Sequence, residues 1–235
     1  MTNGRGRGRS PGRPRAGAEA LTRAGILRAA IRLVDAEGMS ALSMRRLAGE
    51  LGVDPMAIYH HVPGKAAVVS GMVELVLREM PAVAEEGFWR ERVRAFAEAY
   101  RGLALAHPNL ILAIVTDAAA ATEAALRISG PLYTALEDAG LSPAMVWRAG
   151  ALVVDYVHGY VLGAASHPDE VLAREVESWE KLKATGLELA PALQRAFAAA
   201  AESYETFGPG LEMILRGIEA TSGPVPPDGA GEAAG

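Results

Sequence analysis

At 235 residues, half of them apolar, the chain is long enough to bury a sizeable core without disulfides or metal. It has no cysteine, which excludes a disulfide framework, a thiolate zinc site and a cysteine nucleophile. The net charge of −5 hides an asymmetry: residues 1–65 hold eleven Lys/Arg against five Asp/Glu, and residues 66–235 hold twelve against twenty-three. Such a basic head on an acidic body suits a polyanion engaged by the head alone, or is simply a basic tail ahead of an acidic protein.

Residues 1–20 are Gly, Arg, Pro and Ser with little to bury, and the reading for them is a disordered tail, as it is for the Gly/Pro/Ala-rich stretch 222–235. Between the two the pattern is helix throughout, because Ala and Leu dominate and no alternating β-branched runs occur. Thr22 can cap a first helix whose Ile26, Ala30, Leu33 and Val34 form one apolar stripe, and Gly38 ends it. A second starts at Ser43 and stops at Leu51-Gly52. A third starts at Asp54-Pro55, with an aspartate cap and proline at the first helical position, and runs to about Val62. Pro63-Gly64 separates it from a fourth over Lys65–Met80, and Pro81 breaks that pattern. Further helices are predicted at about Phe88–Ala106, Asn109–Thr116, Thr122–Ala139, Pro143–Ser166, Glu170–Thr185, Pro191–Ser203 and Gly208–Thr221, with Pro131 expected to kink or split the third of these. No opening segment has the build of a signal peptide and no apolar stretch reaches membrane-spanning length, so the expectation is a soluble cytoplasmic protein with no membrane partner.

The run from Arg45 to Val62 has the spacing of a helix-turn-helix. Ala48 is small where the second helix crosses closely, Gly52 supplies a positive φ in the turn, and Leu47, Leu51, Val53 and Ile58 fill the space between the helices. The segment from Ala30 to Val53 resembles the first two helices of TetR-family regulators. The continuation Ala57-Ile58-Tyr59-His60-His61-Val62, with Lys65 opening the next helix, is similar to that family's recognition helix and its lysine. The resemblance covers roughly Leu21–Met80. It implies an all-α protein, with an N-terminal three-helix helix-turn-helix domain (21–66) followed by a larger helical ligand-binding and dimerisation domain (67–221).

The same resemblance implies that Ser43 and Arg45 contact operator DNA from the second helix. Tyr59, His61 and Lys65 would hold phosphates, while Pro55, Met56, Ala57 and His60 face base edges. Arginine can pair bidentately with guanine, and a lysine beside a helix N-terminus suits phosphate. Pro55-Met56-Ala57 offers no amide or hydroxyl for base reading, which shifts discrimination toward Arg45 and His60. His60 and His61 point about 100° apart on a helix and do not converge on a metal. In the tail, Gly12-Arg13-Pro14-Arg15 resembles the core of an AT-hook; Arg13 and Arg15 fit a narrow minor groove or serve a non-specific electrostatic arm.

The helix from Pro143 is apolar on nearly all sides, as expected of one that lines a cavity and meets a second subunit, or of a central core helix in a monomer. Phe207-Gly208-Pro209-Gly210-Leu211-Glu212 to Glu219 is similar to the final helix of the tetracycline-repressor-like C-terminal domain. That likeness implies a homodimer through the helices at about 143–166 and 208–221. Tyr100-Arg101, Ala104 and His107 fall in register with that subgroup's ligand-contacting histidine, which in the tetracycline repressor coordinates a drug-bound magnesium with a threonine soon after. Here Pro108-Asn109-Leu110-Ile111 follow and no threonine occurs before Thr116, which argues against tetracycline–magnesium. A small hydrophobic or drug-like effector fits an apolar pocket with a few polar groups, and His107, Asn109, Thr116, Asp117, Trp147, Asp155 and His158 are the candidates.

No nucleophile elbow, phosphate loop, dinucleotide fingerprint or zinc-protease motif occurs, and the five histidines show no metal-ligand spacing. Neither enzyme activity nor any cofactor or metal is therefore expected. The pattern is that of a ligand-responsive transcriptional repressor released from a palindromic operator by its effector. A regulator without a ligand, or an activator using the same helix-turn-helix, would carry the same motif.

Overall fold

The computed structural model describes residues 21–116, 122–164, 177–178, 181, 190–200 and 207–222. The described residues are all-α, and the chain opens with α1 (Arg23–Glu37), a 3-10 turn (Met39–Ala41), α2 (Met44–Leu51), α3 (Pro55–Tyr59) and α4 (Lys65–Leu77). The larger part follows with α5 (Trp89–Ala106), α6 (Pro108–Thr116), α7 (Thr122–Asp138), α8 (Pro143–Ala164), α9 (Pro191–Ala200) and α10 (Phe207–Thr221). The expected tail at 1–20, all but Ser222 of the one expected at 222–235, and most of the helix expected at Glu170–Thr185 lie outside the described residues.

The caps act where the sequence places them. The Gly25 amide donates to Thr22 Oγ1 at 3.1 Å, that of Arg46 to Ser43 Oγ at 3.1 Å, and that of Met56 to Asp54 Oδ1 at 2.8 Å. Gly52 closes α2 in the left-handed conformation, with φ 65° and ψ 29°. Two helices are shorter than expected. α3 ends at Tyr59 rather than Val62, because Pro63 disfavours helical geometry at the residue before it and the His61 amide tightens onto the Ile58 carbonyl. α4 ends at Leu77 rather than Met80, with residues up to Met80 closing in tight turns ahead of Pro81.

Pro131 does not split α7. Leu132, Ala135 and Leu136 just beyond it are fully buried, and their packing outweighs the single helical hydrogen bond that proline removes. One core runs through the described residues: α1 offers Ile26, Ala30, Leu33 and Val34 to Leu47, Ala48 and Ile58, and α5, α7 and α8 pack together. α10 docks on α8 and is tied to α5 by charge. Arg90, Arg94 and Arg216 converge on Glu212, and Arg90 also reaches Glu219. Hydrogen bonds from Arg94 and Arg216, with the charge of Arg90, hold the Glu212 carboxyl at about 2. This depressed value places its stabilising contribution above the ordinary carboxylate range, to be lost as pH falls toward 2.

Candidate nucleic-acid interface and sensor site

The recognition helix is short and anchored from behind. Ile58 is fully buried, while Met56, Tyr59 and His60, at i, i+3 and i+4, share the opposite face. Met56 is 62% and Tyr59 43% exposed, a large apolar outlay to solvent for so short a helix. Pro55 and Ala57 are half-buried at its flanks, and His61 is exposed just past its end. Lys65 is the first residue of α4, exposed beside a helix start that no side chain caps. Its ammonium stands beside the amides of that first turn, which have no partner within the helix.

The two arginines of α2 differ. Arg46 is held by Glu37 at 2.6 Å and lies 3.7 Å from Glu50, whereas Arg45 is exposed and forms no ion pair among the described residues. Ser43 Oγ accepts from the Arg46 amide, which leaves its hydroxyl proton to donate outward. The tail residues Arg13 and Arg15 lie outside the described residues. Arg45→Ala is expected to cost about 1–3 kcal/mol of operator binding and to relax preference at the base it reads. Arg46→Ala is expected to change affinity by less, because that guanidinium is already paired. Equal losses on every sequence in a binding-preference assay would remove Arg45 from base reading.

The expected effector residues that the structure describes separate into four places. His107 and Asn109 turn toward α1: His107 Nδ1 lies 3.0 Å from Asp35 Oδ2, and Asn109 Nδ2 donates to the Val34 carbonyl at 3.0 Å. Trp147 is 61% exposed on the outer side of α8, stacked on Tyr133 at 5.9 Å. Asp155 is exposed on the same helix. Thr116 ends α6 with its hydroxyl donated back to the Leu112 carbonyl at 2.8 Å, and Asp117 lies outside the described residues.

Only His158 points into the packed interior of the larger part, where its Nε2 meets the Tyr100 hydroxyl at 2.6 Å between α5 and α8. Burial pushes the Tyr100 hydroxyl well above its ordinary value and lowers His158, with Asp155 opposing the latter shift. Both shifts favour the neutral forms, so a neutral phenol and a neutral imidazole share this hydrogen bond, with its direction set by the imidazole tautomer. Beside them Arg101 lies over the Phe207 ring at 4.5 Å, with Nε buried and without a partner, and Tyr156 donates to the Phe207 carbonyl at 2.8 Å.

Two family models match this chain. "Tetracyclin repressor-like, C-terminal domain" covers residues 80–222, and "Bacterial regulatory proteins, tetR family" covers residues 26–72. The chain belongs to the TetR family. It is 33% identical over 222 residues to the HTH-type transcriptional repressor DrrR1 of Streptomyces coeruleorubidus, spanning 85% of this chain and 77% of that protein. It is 34% identical over 207 residues to an HTH-type transcriptional regulator of Saccharopolyspora erythraea, spanning 86% of each. Among solved structures, apo ActR of Streptomyces coelicolor superposes with a TM-score of 0.69 at 27% identity, covering 86% of this chain and 97% of that one. ActR in complex with actinorhodin superposes with a TM-score of 0.68 at 25% identity, covering 87% and 100%.

Within this TetR-family chain, sequence reasoning missed Asp35 and Tyr100 as the partners of His107 and His158. Each pair joins helices far apart in the chain, and nothing local to either residue signals it. A buried tyrosine one helical turn from Phe96 and Ala104 was the available hint for Tyr100. Tyr100→Phe is expected to destabilise the protein by about 1–3 kcal/mol in urea unfolding, because it strips a largely buried imidazole of its hydrogen-bond partner. His158 is a base with a lowered folded value, so the unfolded chain binds its proton first. Stability is then lost as pH falls through about 6.5, the ordinary histidine value. A Tyr100→Phe protein with wild-type stability and pH response would show that the pair contributes nothing.

Proposed function

We propose that this chain is a ligand-responsive transcriptional repressor that binds a palindromic operator as a homodimer and is released by a small hydrophobic effector. The observation that carries the reading is the exposed face of Met56, Tyr59 and His60 on a helix anchored inward by fully buried Ile58, flanked by Lys65 and by Arg45, which forms no ion pair among the described residues. The repressor name of DrrR1 and the ligand complex of ActR support the repressing and ligand-responsive parts. The dimer is supported by Leu152, Trp147 and Met213, large apolar residues exposed on α8 and α10. Effector entry is assigned to the Tyr100–His158 region, where one polar pair sits among apolar walls.

Selection of bound sequences from a random duplex pool with the purified protein tests the reading. One palindrome with half-sites about one helical turn apart is the expected product. No consensus at any salt would leave the helix-turn-helix as architecture only. The arginine-rich tail is assigned a second, electrostatic DNA contact. Deleting residues 2–16 should flatten the dependence of log K on log salt by roughly 0.9 for each phosphate released, and an unchanged slope would remove the tail from the interface.

A further inference from the structure

The α5–α6 corner grips the last turn of α1 with directional polar contacts. His107, the residue joining α5 to α6, places Nδ1 3.1 Å from Asp35 Oδ1 and 3.0 Å from Asp35 Oδ2. Two residues on, Asn109 Nδ2 donates to the Val34 carbonyl at 3.0 Å and approaches the Asp35 carbonyl at 3.4 Å. The Val34 carbonyl also accepts the Gly38 amide at 2.8 Å, so a side chain of α6 completes the C-terminal cap of α1. The same corner supplies both contacts, and both fall on successive residues of one helical turn.

The consequence is mechanical. α1 carries the reading face, because Leu47, Ala48 and Ile58 pack in the same core as its Ile26, Ala30 and Val34. The head is joined covalently to the rest of the chain through α4, which packs on α1 and α7. A single attachment lets a rigid head pivot, whereas two set an angle. α6 is the second: Leu110, Ile111 and Ile114 are buried on the far side of the same helix, which packs on α5 and α8. Apolar packing alone tolerates sliding, but hydrogen bonds to fixed carbonyls and a carboxylate fall off steeply with angle.

We infer that His107 and Asn109 are positioning residues that clasp α1 to the sensor and so set the distance between the two reading heads of the dimer. This rests on the palindrome-binding reading above. The readout is spacing rather than affinity. Full-length protein is titrated against the selected palindrome and against versions with one or two base pairs added to or removed from its centre.

The wild type is expected to prefer the selected spacing sharply. Asn109→Ala is expected to lower the ratio of affinities between selected and altered spacings at least about fivefold, although neither residue touches DNA. Asp35→Ala breaks the clasp from the α1 side at a position near the surface, and carries the same test should Asn109→Ala fold poorly. Simple loss of stability weakens binding to every spacing alike and leaves the ratio untouched, so an unchanged ratio in both variants overturns the clasp. The wild type is scored first. If it selects no palindrome, the operator reading falls and the clasp with it; if it does and the variants match it, the clasp alone falls.

Discussion

Replacing Leu152 and Met213 together with aspartate is expected to yield a folded monomer whose affinity for a palindromic operator is lower by about 100-fold or more. Leu152 is 51% and Met213 75% exposed, on α8 and α10, which pack against each other. Both lie on outward faces that also carry the exposed glycines Gly159, Gly163 and Gly217, where a second helix can approach closely. Burying a large apolar side chain contributes about 1.5–3 kcal/mol, and a two-fold interface counts each position twice. Aspartates there replace that gain with desolvation and mutual repulsion. The fold itself should be nearly indifferent, since exposed substitutions usually shift stability by within about 0.5 kcal/mol. Separating the subunits removes the linkage between half-sites, which multiplies affinity by about 10² to 10⁴. Sedimentation, circular dichroism and operator titration on one preparation check the three parts. A variant that remains dimeric with wild-type affinity would move the interface off these helices.

The legible parts of this chain were those whose cause is local. Thr22, Ser43 and Asp54 are caps because their oxygens reach an amide two or three residues on, a distance any sequence shows. Gly52 is readable for the same reason: only the turn between α2 and α3 demands its left-handed backbone. The reading face follows from helical period once Ile58 is known to point inward. The sensor was less legible, because its groups are defined by partners on other helices. His107 and His158 look alike as sequence, each a lone histidine among apolar residues. Yet one meets Asp35 on the first helix and the other Tyr100 in the interior. Pro131 shows the same limit from the other side, since a local rule that predicts a kink or a split yields no split where three neighbours are buried.

Gly210→Ala should destabilise the protein by about 2–4 kcal/mol, against the ordinary sign for this change in a helix, where alanine is favoured by about 1 kcal/mol. A Cβ at Gly210 would collide with the Tyr156 hydroxyl and lie 2.8 Å from Tyr156 Cζ and 3.1 Å from its Cε2. The ring cannot yield cheaply. Its hydroxyl donates to the Phe207 carbonyl at 2.8 Å and its face stacks on Phe207 at 5.2 Å, so retreat loses both contacts at once. Gly102→Ala, in α5 with nothing near its added Cβ, is the matched control and should stabilise by about 0.5–1 kcal/mol. Tyr156→Phe removes the oxygen nearest the new methyl. Gly210→Ala should therefore cost less in that background, a coupling that a double-mutant cycle in urea reads directly. Because α8 and α10 also present Leu152 and Met213, the close approach at Gly210 fixes how the two faces align. A neutral Gly210→Ala would mean that the helices sit further apart, and the dimer surface proposed on their pairing would have to be redrawn with them.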